Sequence, residues 1–196
     1  MFHLKPVLAV FVFALTTLAL GLPAYGQGTK IVVVDQERVL SESRAGQDMR
    51  IKFQNIEGQM QRELQPTAQS LEQLGATIEA RTANITPEAA RADVELQQQA
   101  RDYQARLRSL SQESDRRSAE LAMTQQKAGI AFRDALKPVL DEVMQEQGAQ
   151  IMLAAGEVMI ALPATDVTDQ VIQKLDATTP SINVTRERLP TQAAQQ

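Results

Sequence analysis

The sequence predicts a mainly α protein: a long antiparallel coiled-coil hairpin arm standing on a small α/β body with short strands. Three observations carry that reading. A seam at alternating steps of four and three runs without proline through Leu96, Ala100, Tyr103, Leu107, Leu110, Ser114, Arg117, Leu121, Thr124, Ala128, Ala131 and Ala135. Such a stripe is too narrow for a globular core and matches the width that one partner helix covers. A second apolar stripe precedes it, through Phe53, Ile56, Met60, Leu64, Leu71, Leu74 and Ile78. Short runs of strand character flank this helical block, KIVVVD before it and QIMLA with VMIAL after it.

Ahead of the first strand, Lys5 precedes an apolar run from Val7 to Leu20 and a small-residue exit, Ala24-Tyr25-Gly26. A charged start, an apolar centre and a small-x-small site are the parts of a secretory signal peptide, so residues 1–26 are expected to be removed near Gln27. The run is shorter than the ~20 residues that span a bilayer. Removal takes away His3, the sole histidine, and Lys5, moving the formal net charge from −4 to −5. Cysteine and tryptophan are absent. Export without cysteine needs no disulfide staple, and a Gram-negative periplasm fits best.

Residues 27–44 open the body. Four consecutive β-branched residues, Ile31 to Val34, read as a short strand buried on both faces. Asp35 offers an N-cap oxygen to a short helix over Gln36 to about Ser41 that buries Val39 and Leu40. Ser43, Arg44 and Gly46 leave room for a bend. The arm then covers 45–138. Its outgoing helix, about Ala45 to Arg81, contains Gly58, Pro66 and Gly75, and a kink is expected near Pro66, which cannot donate to the carbonyl four residues back. The tip lies near 82–87: Thr86 is an N-cap, Pro87 takes the first helical position, and Glu88 suits the helix dipole. A return helix from about Pro87 to Gln147 brings the seam back, with Pro138 kinking it as it re-enters the body. At ~1.5 Å per residue the arm is roughly 55 Å long.

The body resumes over 139–176. QIMLA, Gln150 to Ala154, and VMIAL, Val158 to Leu162, are expected to form a β-hairpin turning at Ala155-Gly156-Glu157. Asp166 or Thr168 caps a last helix whose apolar face is Val171, Ile172 and Leu175. Residues 177–196 turn polar and read as a flexible tail. The first strand must meet the hairpin after a detour of more than a hundred residues, pinning both helix roots to one small sheet. Three short strands leave edges and apolar faces that water covers poorly, so several chains are expected to associate through them. Ile31, Val33, Ile151, Leu153, Val158 and Ile160 are the candidate residues of that contact.

The composition removes whole classes of chemistry. Without histidine or cysteine after cleavage there is no Ser-His-Asp triad, no ordinary zinc site and no thiol nucleophile. Asp141 and Glu142 read as helix surface rather than an acid-base pair, and no glycine-rich phosphate loop appears. No catalytic residue, cofactor or metal site is expected, and the chain is read as not an enzyme. The acidic balance argues against nucleic acid. Arg101, Arg106, Arg108, Arg116 and Arg117 are balanced by Asp102, Glu113, Asp115 and Glu120, which favours solvated helix faces over an anion site. Arg117 stands out because the seam passes through it: with Ser114 and Thr124 it makes mid-arm either loosely zipped or wet, unless the register turns Arg117 outward.

KIVVVDQERVLSESRAG, Lys30 to Gly46, resembles the opening of the Skp/OmpH family of periplasmic chaperones. VLDEVMQEQGAQIMLAAGEVMIALPATDVTDQVIQKLD, Val139 to Asp176, is similar to that family's close, and a helical hairpin lies between them. The resemblance implies a homotrimer whose strands complete a central body and whose arms enclose a cavity for unfolded outer-membrane proteins. It implies an ATP-independent holdase that hands these clients to the outer-membrane assembly machinery, with at most transient membrane-surface contact. Well-known members are basic, whereas this chain is acidic, so lipopolysaccharide binding does not carry over. Phe53, Ile56, Met60, Leu64, Tyr103 and Arg117 are the candidate client contacts, with packing inside the hairpin as their competing role. The alternative function is a periplasmic coiled-coil structural adaptor of an envelope or efflux complex. Such adaptors flank their hairpin with substantial β domains, which this sequence lacks.

Overall fold

The computed structural model describes residues 28–190; the expected signal segment lies outside them, as do residues 191–196. Strand β1, Ile31–Val34, leads into α1, Gln36–Glu42, then α2, Arg44–Thr82. Beyond the tip come α3, Pro87–Ala92, and α4, Val94–Gln147, followed by β2, Ile151–Ala154, and α5, Thr168–Thr178. The mainly α class read from the sequence is the class observed, with α2 and α4 forming the arm and a two-stranded sheet at its base.

Local signals explain most boundaries. The Asp35 carboxylate accepts from the N–H groups of Glu37 and Arg38, both at 3.0 Å, and so starts α1. Ser43 ends α1 in an extended conformation and caps α2 by accepting from the Gly46 N–H at 3.2 Å. At this corner a Cβ on Gly46 would stand only 1.7 Å from the Leu40 carbonyl oxygen, so glycine is what lets the two helices turn so tightly. Thr86 caps α3 with Pro87 in its first turn. Gly148, at φ 60°, closes α4: the Ala149 N–H reaches the Met144 carbonyl and the Gly148 N–H that of Gln145, a left-handed cap.

The sheet corrects one expectation. β2 pairs in parallel with β1, in the register Ile31↔Ile151, Val32↔Met152, Val33↔Leu153 and Val34↔Ala154. No hairpin follows β2: a single 3₁₀ turn at Ala155–Glu157 carries the chain off the sheet, and Val158 to Leu162 is irregular. Gly156 does not take the positive φ that a tight hairpin requires; Gly148 alone does so among the described glycines. The second flank of β1 is met instead by the approach to α5, where the Val167 N–H donates to the Val33 carbonyl at 2.9 Å. The Asp166 carboxylate accepts from the Thr168 N–H at 2.8 Å, while the Thr168 hydroxyl accepts from the Asp35 N–H at 2.9 Å.

Pro66 and Pro138, the expected kink positions, lie inside α2 and α4. Two further differences concern the arm. The return helix is not continuous from Pro87: Asp93 is extended (φ −79°, ψ 97°) and restarts it by capping Leu96. The seam closes only at its ends. Leu96 is buried near the tip, Leu107 and Ser114 are exposed in the middle, and towards the root the buried stripe is Glu120, Thr124, Ala128, Phe132 and Leu136. Steps of four drift around the helix relative to a heptad. The drift has a cause: α4's root is gripped by α5 and the chain's end as well as by α2, so Ala131 and Ala135 become the flank of the core and Phe132 and Leu136 its centre.

That core joins Val32, Val34, Val39, Ala45 and Met49 to Val139 and Val143 of α4 and to Val171 and Leu175 of α5. Ile182 belongs to it too, with Val184 packed at its edge. The tail read as flexible is therefore docked over its described part, Thr179 to Pro190, because it carries apolar side chains that reach the core.

Candidate functional site

Two surfaces gather the residues singled out by sequence. The first lies on the body. Ile31 and Ile151 face each other across the parallel pair and are both 41% exposed, and Leu153 is exposed beside them. The irregular segment after β2 adds Met159 at 97%, Ile160 at 85% and Leu162 at 72%. Exposed apolar side chains in such number are the kind of feature that accompanies contact surfaces. Of the residues expected there, Val158 is half-buried and Val33 is buried. Sequence reasoning missed Met159; its place in the VMIAL run was the available signal.

The second surface is the arm. The structure does not assemble the six candidate contact residues into an exposed patch. Ile56 and Met60 are buried between α2 and α4, Phe53 packs on the core, and Leu64 and Tyr103 are half-buried. Tyr103 lies against Gly75, where an added Cβ would come within 3.1 Å of its ring, so that glycine admits the aromatic side chain to the helix pair. Arg117 does point inward, and it is not alone there. Its guanidinium meets Glu63 of α2 at 3.3 Å, Glu113 at 2.5 Å and Glu120 at 3.0 Å. A seam cation is tolerated because carboxylates surround it.

Glu120 is the centre of this cluster and was read from sequence as surface. It is fully buried. It meets Arg116 at 3.3 Å, Arg117 at 3.0 Å and Arg186 at 3.2 Å, and accepts from the Leu189 N–H at 3.2 Å. Burial opposes its ionisation, but hydrogen bonds from Arg117, the Leu189 N–H and Arg186 outweigh that and hold its carboxyl below the usual range. Arg186 also binds Glu63 through two parallel bonds of 2.7 and 3.0 Å, lowering the Glu63 pKa in turn. The Nε atoms of Arg117 and Arg186 are buried without a hydrogen-bond partner, and that of Arg116 has only its ion-pair approach to Glu120. Only the alternation of Ile182 and Val184 with polar residues could have betrayed the docked tail in the sequence.

Among the described residues no cluster of His, Cys, Asp and Glu is arranged to hold a metal ion, and no helix is long and apolar enough to cross a membrane. Comparison with protein families matches residues 30–175 to the model described as outer membrane protein (OmpH-like). Among solved structures the chain is similar to the crystal structure of a candidate outer membrane chaperone (OmpH-like) from Caulobacter crescentus CB15. The two share 27% identity and a TM-score of 0.71, over 84% of this chain and 94% of that one. No curated protein matches.

Proposed function

Because the chain belongs to the OmpH-like outer membrane protein family, we propose that it is an ATP-independent periplasmic holdase. On this reading it keeps unfolded outer-membrane β-barrel proteins soluble until they insert, in a cavity walled by the arms of three copies. The observation that carries the reading is the apolar group of Ile31, Ile151, Leu153, Met159, Ile160 and Leu162 at the base of a long arm. Association of copies through that base removes the group from water and sets several arms around a common space. Periplasmic location and delivery to the assembly machinery follow from the same reading.

The chemistry suits passive holding: the chain offers no histidine after signal removal and no cysteine. Clients would meet half-buried apolar groups along an arm whose middle is loosely closed, as the exposed Leu107 indicates. Native mass spectrometry of the exported protein, alone and with a urea-unfolded outer-membrane β-barrel, tests both parts together. A trimer that takes up one client and suppresses its light scattering is the expected result. Ile160→Asp should lower the oligomer number and the suppression in step. A monomer that holds no client would overturn the reading.

A further inference from the structure

The chain's own end shows how the arm holds extended polypeptide. From Ser181 to Leu189 it runs without regular structure between α2 and α4, and arm side chains bind its main chain at both of its ends. Asp48 accepts from the Ile182 N–H at 3.3 Å, and Lys52 donates to the Ile182 carbonyl at 2.6 Å. Thr124 accepts from the Glu187 N–H at 2.9 Å; Glu120 accepts from the Leu189 N–H, and Arg116 donates to the Leu189 carbonyl at 2.7 Å. These contacts read backbone, which every sequence presents.

From Ile182 to Arg186 side chains alternate as they would along a strand: Ile182 is buried, Val184 and Arg186 are partly covered, and Asn183 and Thr185 face outward. At Glu187, partly covered beside Arg186, the phase shifts, leaving Arg188 exposed and Leu189 half-buried. Main-chain bonds for affinity, with recesses for alternate side chains, are the terms on which a protein binds an extended segment. A helix pair has no free ladder to offer, so here side chains supply the bonds. About nine residues at ~3.3 Å each span roughly 30 Å. A membrane-spanning β-strand has ~9–11 residues with alternating apolar side chains. The groove residues lie inside the family match, which ends at residue 175, whereas the bound segment lies beyond it.

We infer that the groove between α2 and α4, from Asp48 and Lys52 to Arg116 and Glu120, is a binding site for extended polypeptide. The chain's residues 181–189 occupy it in cis, and an unfolded β-barrel strand displaces them. The displacement half rests on the chaperone reading; the groove itself does not. Tethering gives the tail an effective concentration of order mM, so a competitor must come as a long chain with many strands or must wait for the tail to leave.

The test uses the full exported chain, the Arg186→Glu and Val184→Asp variants, and a labelled peptide with the sequence of residues 179–190. Hydrogen exchange at the Ile182, Glu187 and Leu189 amides reports release of the tail in each variant. With their own tails released, both variants should bind the peptide at least tenfold more tightly than the wild type, and an unfolded outer-membrane β-barrel should displace it. Equal binding by wild type and variants, or equal binding of a peptide with its alternation scrambled, overturns the inference. A barrel held in solution without displacing the peptide overturns its client half and leaves the chaperone reading standing. Tight, displaceable peptide with no suppression of barrel aggregation supports the groove and removes the chaperone reading.

Discussion

Replacing Gly46 by alanine probes the corner on which the body turns into the arm. The added Cβ would lie 1.7 Å from the Leu40 carbonyl oxygen, 2.7 Å from its carbon and 3.3 Å from its Cα. All three are backbone atoms, so no side chain can swing aside. Restoring ordinary contact requires α1 to move by roughly 1.7 Å, and tightly packed surroundings resist such shifts at ~1–3 kcal/mol. The move also draws Val39, fully buried on α1, out of its pocket, at a cost of ~2 kcal/mol. Against this, alanine favours the helix by ~1 kcal/mol. The net loss is ~2–4 kcal/mol, a fall of roughly 5–15 °C in Tm for a chain of this size. Thermal unfolding followed by circular dichroism measures it, with Gly129→Ala as the control. At Gly129 the nearest atom is the tip of Arg133 at 3.7 Å, so the same substitution there should stabilise by ~0.5–1 kcal/mol. Equal Tm values for Gly46→Ala and wild type would refute the steric argument.

Glu120→Ala should cost ~2–4 kcal/mol in chemical denaturation, because three partly buried guanidiniums lose a shared carboxylate; Glu120→Gln should cost less, since it keeps the shape and part of the bonding. Acid should release the tail. The carboxyls of Asp48, held down chiefly by Lys52 and Ser181, and of Glu63 and Glu120 lie below their ordinary values of 3.8 and 4.5. Depressed groups stabilise fully above those ordinary values and lose the contribution as pH falls through the depressed ones, so Ile182 and Leu189 amide shifts should hold steady from pH 7 to 5 and change only below about pH 4. A midpoint above pH 5 would contradict this. Gly148→Ala, forced to φ 60°, should cost ~1–2 kcal/mol at the end of α4, and Gly148→Asn should recover about half of that.

Legibility in the sequence followed the range of the interaction involved. The Asp35 and Thr86 caps, the Pro87 start and the long helices depend on neighbours within a turn, and sequence reading placed them within a few residues. Asp93 was missed although its type favours a cap, because Thr86 and Pro87 already supplied a start for the return helix and the seam, which begins at Leu96, marked no second one. The β-hairpin failed for a different reason. VMIAL has strand composition, but pairing depends on whether the turn doubles back, and Ala155–Glu157 does not. The root of the arm was decided by competition among α2, α5 and the tail, so the buried stripe moved from Ala131 and Ala135 to Phe132 and Leu136. No local rule encodes that. Glu120 read as a surface carboxylate because its partner Arg186 and the Leu189 N–H come from far along the chain.

The parallel pairing of β1 with β2 bears on the order in which the molecule assembles. Each strand waits for one that is synthesised more than a hundred residues away, and closing so long a loop as free coil is slow. The helical hairpin removes the delay. Once the turns capped by Thr86 and Asp93 form at the tip, α2 and α4 can zip towards their roots and deliver Val34 and Ala154 side by side. The tip, farthest from the body and contributing nothing to its core, is therefore expected to govern how fast the sheet closes, so Thr86→Ala should slow refolding more than it speeds unfolding, as stopped-flow kinetics would measure.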